Sequence, residues 1–365
     1  MFEVIRLFCK CIYYTPLIII GYKTLPDLIH SLGVFYVKLA QIATTRPDIL
    51  SEFLIRKLVS LQDHVPVGKD VPKEGLIASG SIALIYEISN SQIMKVKRLE
   101  IEKEIKNGAL LLTSLFKSRI GAYLSKKSSW FHNISKLENL ISVKLPQHLD
   151  FKQETINQRR ISCLMEPELV IPKVYFSTEN EIIMEKIHGV KLSELSELSD
   201  ALNIELAITS LLNIVWNMIF VHRLIHGDLH EGNILVTHDG KISLLDFAVI
   251  TEISEDNVKN LCIFFLSCIT KSSSVLCKTM TRGKTNKKFE ADMKFVFEKY
   301  EITDMYTFLN HIIQISLRNH IQLEESLLDP IIFMIQAEGI AKKYSNQSLM
   351  KKVLTNLYKI NHLSL

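Results

Sequence analysis

An α+β fold in two parts is what the 365-residue sequence predicts, with strands gathered in the first half and helices filling the second. Three observations carry that reading. Between residues 76 and 98, short apolar runs of period two are separated by turns of small residues. From Leu192 onward, apolar residues recur at helical spacing almost to the end. The exception in that helical half is residues 226–247, which begin His-Gly-Asp-Leu-His-Glu-Gly-Asn and close on Asp-Phe.

The exceptional segment has the layout of a phosphoryl-transfer site. Asp228 and Asn233 stand five apart, the catalytic-loop spacing of kinase-like enzymes. In those loops the Asp meets the substrate hydroxyl or water, and the Asn carboxamide holds a metal ion. Ile234-Leu235-Val236 and Ile242–Leu245 read as two short strands, with His238-Asp239-Gly240 turning between them. Such a hairpin returns Asp246, just past its second strand, to the neighbourhood of Asn233, just before its first. Hard oxygens at adjacent strand ends suit Mg²⁺ and a nucleotide phosphate. A zinc helix is the rival, because His222, His226 and His230 recur every four residues. It would have to run through Gly227 and Gly232, poor helix formers, and would leave Asp228, Asn233 and Asp246 without a purpose.

The remaining elements follow in chain order. Residues 1–66 carry apolar residues at three-to-four spacing and read as helices, with a loop at Thr44–Asp48. Within Met1–Gly21, Lys10 interrupts the apolar run and Pro16 is expected to break the helix. The clean run from Cys11 to Ile20 is about half of what a spanning helix needs. The segment therefore reads as an interfacial helix making peripheral membrane contact. Leu76-Ile77 and Ile82–Ile88 read as strands around a tight loop, Ala78-Ser79-Gly80-Ser81, whose backbone N–H groups are expected to approach phosphates closely. Ser89-Asn90-Ser91 turns into Gln92–Lys97, where Lys95 and Lys97 share one face of a strand. Spacing leaves the phosphate-binding lysine open between the two. The orienting carboxylate belongs on a nearby helix, and Glu154 is the candidate within the helical stretch 99–160. A strand pair covers Val170–Tyr175 and Glu181–Glu185. It leads into Met184–Gly189, where a kinase hinge contacts adenine, so Glu185 is assigned to the nucleotide site. Lys271–Lys288 is polar and basic and reads as a surface connection.

Bulk properties narrow the partners. A net charge of +4 is too small to argue for nucleic acid but is compatible with an anionic membrane surface. Six cysteines without metal-type pairing fit a reducing, cytoplasmic setting. Three divisions are expected: a helical extension over 1–66, a strand-bearing lobe over 67–188 and a helical lobe over 189–365.

With these residues assembled, the chain resembles the UbiB/AarF family of atypical protein-kinase-like proteins. Leu32–Gln41 resembles the family's signature Lys-x-Gly-Gln helix, with Lys38 and Gln41 as its polar residues. It runs on into Thr45–Leu50 and Leu61–Pro66, both typical of the family. Ala78–Ala83 is similar to the family's alanine-rich loop, Lys95-Val96-Lys97-Arg98 to its nucleotide-lysine strand, and Leu149–Glu154 to its glutamate helix. The resemblance favours Lys95 over Lys97 and supports Glu154. It implies a protein-kinase-like two-lobe fold and binding of ATP with Mg²⁺. It further implies ATP hydrolysis or phosphorylation of a lipid or quinone precursor, alongside quinone-biosynthesis proteins at the inner face of a membrane. Lys38 and Gln41 are then expected to face the nucleotide phosphates. Three positions depart from the family pattern: Ala40 for glycine, His148 for glutamate, and Ala248 for the glycine of Asp-Phe-Gly. Two alternatives are a nucleotide-binding scaffold without turnover and a small-molecule phosphotransferase of the aminoglycoside or choline kinase type. The latter has no counterpart to residues 30–66.

Overall fold

The computed structural model describes residues 2–61, 71–118, 134–164, 166–197, 204–321, 323–345 and 347–350. Most of the expected Leu61–Pro66 motif lies outside them. The chain divides into two compact units, Met1–Arg160 with Pro172–Lys186, and Ile161–Ile171 with Ile187–Leu365.

The first unit opens with helices α1 (Phe2–Ile19), α2 (Leu25–Leu32), α3 (Val34–Thr44) and α4 (Glu52–Leu58). Contrary to expectation, Pro16 lies inside α1 without ending it. The helix forfeits the single bond that Pro16 cannot donate, and Ile20 N–H resumes the ladder on the Pro16 carbonyl at 3.1 Å. Helix α2 starts at a capping box in which Thr24 and Asp27 satisfy each other's backbone N–H groups.

A five-stranded antiparallel sheet follows, built from β1 (Leu76–Ser79), β2 (Ala83–Ser89), β3 (Gln92–Lys97), β5 (Val174–Ser177) and β6 (Glu181–Glu185). Its order is β1-β2-β3-β6-β5, which places β3 in the centre. Helices α5 (Ile101–Lys117), α6 (Ile134–Asn139) and α7 (Phe151–Ser162) complete the unit, α6 running on through a π-helical turn, Leu140–Lys144. Phe35, Leu39 and Ile42 of α3 share one core with Ile82, Ile101, Phe151 and Ile182. The expected extension 1–66 is therefore part of the same unit as the sheet, as far as it is described.

The second unit holds β4 (Leu169–Val170), β7 (Gly189–Lys191), β9 (Ile234–Thr237) and β10 (Ile242–Leu244) in the order β4-β10-β9-β7, and a separate pair, β8 (Leu224–His226) with β11 (Ile250–Glu252). Strand β4 lies parallel to β10, and Ile242 N–H donates to the Glu168 carbonyl. Residues 161–171 thus belong to the helical unit, although the expected division placed them in the strand-bearing lobe.

Among the described residues the unit also holds six α-helices: α8 (Ile204–Phe220), α9 (Glu255–Ile269), α10 (Ser273–Met280), α11 (Lys287–Lys299), α12 (Met305–Arg318) and α13 (Glu325–Tyr344). Helix α10 corrects the reading of Lys271–Lys288 as a simple connection, because Leu276, Cys277 and Met280 bury one of its faces. Helices α8 and α13 are buried on most sides, which explains why their apolar residues outnumber those of an amphipathic stripe.

Candidate active site

Each unit holds its own group of the predicted residues. In the first, Lys95 lies on the central strand β3, opposite Ile85 on one side and Ile182 on the other. Helix α7 brings up its partner. Asp150 caps that helix by accepting from Gln153 N–H at 2.9 Å, and Glu154 follows one residue later. The Lys95 Nζ then meets Glu154 Oε1 at 2.5 Å, with the glutamate side chain at 0% exposure. Lys97 points to a different partner, Glu102 at 2.6 Å, whose side chain is 63% exposed. Both ammonium groups lie 5.2 Å from the centre of the Phe151 ring. The two lysines thus differ in the burial of their partners.

The small-residue loop differs from the expected cradle. Ala78 and Ser79 are strand residues of β1, paired with Ile85 and Leu84. The Gly80 N–H donates to the Ala83 carbonyl at 2.9 Å, so it does not point outward to an anion. Arg98, which the sequence reading did not assign, clamps the turn from β3: its Nε donates to the Gly80 carbonyl at 2.9 Å and its Nη2 to Ser79 Oγ at 2.7 Å. Burial holds that guanidinium below its ordinary pKa. From the other side, Ser81 Oγ donates to Gln41 Oε1 at 2.9 Å, and Gln41 Nε2 donates to the Leu61 carbonyl at 2.6 Å. Gln41 was expected to face phosphates; its carboxamide instead joins α3 to the turn and to the end of the α4 region. Lys38, one helical turn earlier, is buried as well.

Glu185 is corrected too. Its carboxylate accepts from Lys173 N–H at 3.1 Å and its own N–H donates to the Lys173 carbonyl, so both groups are engaged within the sheet. Of the departures, Ala40 sits in helical backbone, where alanine is preferred to glycine. His148 is buried and closes the helical turn Leu145–Gln147.

In the second unit the hairpin forms, with Leu244 opposite Ile234 and Ile242 opposite Val236. Its turn needs Gly240 at φ +79°, a conformation side chains disfavour. Leu245 N–H donates to the Asn233 carbonyl at 3.1 Å, which ties the residue before Asp246 to Asn233. Asn233 Nδ2 donates to the Asp228 carbonyl at 3.1 Å. With that nitrogen engaged, the amide oxygen is the atom Asn233 can offer a cation. Asp246 Oδ1 accepts from Ala248 N–H at 3.0 Å. Ala248 is absent from the positive-φ residues, so alanine in place of glycine carries no backbone strain there.

Two supports of this loop escaped the sequence reading. His226 is fully buried beside Phe247 and Phe333, and its Nδ1 accepts from Asp228 N–H at 3.3 Å. Burial pushes its pKa down, against the opposing attraction of Asp246 and Asp228, which favours the neutral ring. Glu231, inside the loop, accepts from Lys343 Nζ at 2.7 Å and Tyr344 Oη at 2.8 Å at the end of α13. Only the position of Glu231 between Asp228 and Asn233 could have hinted at this, since its partners lie more than a hundred residues away.

A lysine paired with a buried glutamate and an Asp–Asn–Asp hairpin are the parts of a kinase-like phosphoryl-transfer fold. Residues 73–280 match the ABC1 atypical kinase-like domain, and the chain belongs to that family, which includes the proteins named UbiB and AarF. The chain is 25% identical to chloroplastic Protein ACTIVITY OF BC1 COMPLEX KINASE 1 of Arabidopsis thaliana, over 71% of this chain and 42% of that one. It is 26% identical to Probable protein kinase UbiB of Marinobacter nauticus, over 65% of this chain and 50% of the relative. An uncharacterized protein from the hydrogenase 1 5' region of Clostridium pasteurianum is 24% identical over 91% of this chain and 69% of its own length. The matches to the two named kinases thus span half or less of those proteins.

Proposed function

We propose that this chain binds ATP with Mg²⁺ and acts as a phosphotransferase or ATPase of the UbiB kind, supporting isoprenoid-quinone synthesis at a membrane surface. The observation that carries the reading is the pairing of Lys95, on the central strand of the first unit, with the fully buried Glu154 of α7. A lysine held in this way keeps a fixed ammonium for the α- and β-phosphates, and Glu154 orients it. Lys38 is assigned to the phosphates as well, with Gln41 and Arg98 positioning the adjoining turn. The main chain after Glu185 is assigned to the adenine.

In the second unit, Asp228 receives or orients the proton of the attacking hydroxyl or water. Asn233 and Asp246 would hold Mg²⁺; their oxygens suit a hard cation, which neutralises charge on the phosphates when bound. Neutral His226 and the Glu231–Lys343–Tyr344 contacts hold the loop that presents Asp228. Among the described residues no helix is long and apolar enough to cross a membrane. Peripheral attachment is therefore assigned to α1, where Ile12, Tyr13, Ile19 and Ile20 are exposed.

The test compares purified wild-type protein with two variants, reading thermal stabilisation by Mg²⁺-ATP and phosphate release. Asp246→Asn is expected to weaken nucleotide binding at least tenfold, about 1.4 kcal/mol. Asp228→Asn is expected to keep binding and lose release. Undiminished phosphate release by the Asp228→Asn protein would remove the assigned roles, and stabilisation of wild type without release would favour the scaffold reading.

A further inference from the structure

Residues 271–294 carry seven Lys and Arg against two acidic residues, an excess of five where the whole chain has +4. The chain's net positive charge is therefore concentrated in α10, α11 and the turn between them. Lys271, Lys278, Lys284, Lys287, Lys288 and Lys294 are all exposed, and none makes an ion pair among the described residues. The one arginine of the stretch, Arg282, is held by Glu324, and Asp292 accepts from Asn319 Nδ2 at 2.7 Å.

Helix α11 has two distinct faces. Phe289, Met293, Val296 and Phe297 are buried. On the outer side, Lys287 and Lys294 are seven residues apart, as are Lys288 and Phe295, so the four form one stripe with Ala291 between them. Phe295 is 59% exposed, its ring crossed by Lys299 at 5.5 Å. Exposed Glu298 shares this stripe, so Lys287, Lys288, Lys294 and Lys299 outnumber it four to one. An exposed phenylalanine among cations in such excess on a helix face is the pattern of a helix resting in a bilayer interface.

We propose that the outer face of α11, with the lysines of the preceding turn, is a docking surface for an anionic phospholipid bilayer. The free cations are all lysines, which act as point charges toward a diffuse anionic surface. Recognition of nucleic acid uses arginine for its paired, planar hydrogen bonds, and the single arginine here is engaged. Phe295 has no polar atom and would enter the acyl boundary while the lysines meet the headgroups. None of these residues is among those assigned to nucleotide, and α1 belongs to the other unit. The surface extends the membrane part of the proposed function without depending on the ATP chemistry.

The test is co-sedimentation of the full chain with phosphatidylcholine vesicles, with and without phosphatidylserine. It compares wild type, the triple variant Lys287→Glu/Lys288→Glu/Lys294→Glu, and Phe295→Ser. Each lysine at an anionic surface contributes roughly fivefold to partitioning, and reversal to glutamate adds repulsion, so the triple variant is expected to lose at least on the order of a hundredfold. Phe295→Ser is expected to weaken the binding that remains at high salt. Unfolding midpoint and stabilisation by Mg²⁺-ATP, read on the same proteins, are expected to match wild type, which keeps a failure of the nucleotide reading separate. Unchanged vesicle binding by the triple variant would overturn the proposal. So would equal binding to vesicles without phosphatidylserine, or lysine-dependent binding to single-stranded RNA that exceeds binding to the vesicles.

Discussion

At the scale of single residues, the two lysines of β3 differ by what they face. Both lysine side chains are largely covered, 13% exposed for Lys95 and 6% for Lys97, but Glu154 is enclosed while Glu102 stands in solvent. Removing one member of a buried pair strands a charge and costs about 3–5 kcal/mol, whereas an exposed partner is worth about 1 kcal/mol or less. Glu154→Ala should therefore lower unfolding stability in urea by about 3 kcal/mol or more, and Glu102→Ala by under about 1 kcal/mol. Equal losses would mean that the two pairs are not distinguished by burial. The sequence could not make this distinction, because alternation puts both lysines on one face. Their partners, 59 and 5 residues away, are sorted only when α7 packs. Arg98 was hidden for a related reason: its targets are a carbonyl and a serine 18 and 19 residues earlier, and neither leaves a mark in composition.

At the scale of elements, the hairpin after Asn233 was legible because each signal in it is local. Strand alternation, Asp-Gly turn chemistry and the five-residue spacing all lie within 226–247. The loop before it is held by contact across strands. Gly227 N–H donates to the Val249 carbonyl, and a Cβ on Gly227 would fall 2.4 Å from Val249 Cγ1. Gly227→Ala should then cost about 1–3 kcal/mol by overpacking. Adding Val249→Ala should recover most of that loss, measured as a double-mutant cycle. Simple additivity would argue that another contact limits the site. The 78–81 turn was misread because small residues suit both an open phosphate loop and a closed strand turn. What closes it, Gln41 on one side and Arg98 on the other, comes from other elements.

At the scale of the whole molecule, burial inside the helical unit sets a pH dependence. Glu338 on α13 is buried, and its carboxylate accepts from Ser348 Oγ and Leu349 N–H. Burial pushes its carboxyl up to about 7, against the lowering effect of those hydrogen bonds, with Asp304 adding to the rise. The folded chain then holds a proton that the unfolded chain has released. This group's stabilisation is complete below the ordinary carboxylate pKa and is lost as pH rises through about 7. Glu338→Gln should gain stability relative to wild type as pH rises from about 5 to about 8, by up to about 3 kcal/mol. A difference that does not change with pH would show that the carboxyl titrates normally. The expected break at 188 fell close to the junction of Lys186 and Ile187. The passage of 161–171 into the helical unit was not legible, since it rests on a two-residue strand that pairs some seventy residues downstream.

That short passage has a consequence for how the protein can be taken apart. The backbone leaves the first unit after Arg160, returns at Pro172 and leaves again after Lys186. On the ribosome, a piece of the second unit is therefore made before the first is finished, and it must wait for β10 before its ladder can form. After synthesis, a nick at Lys186 would not yield separable halves, because the amino-terminal fragment would still carry β4, hydrogen-bonded into the other fragment's sheet. Such fragments should co-purify until they are denatured.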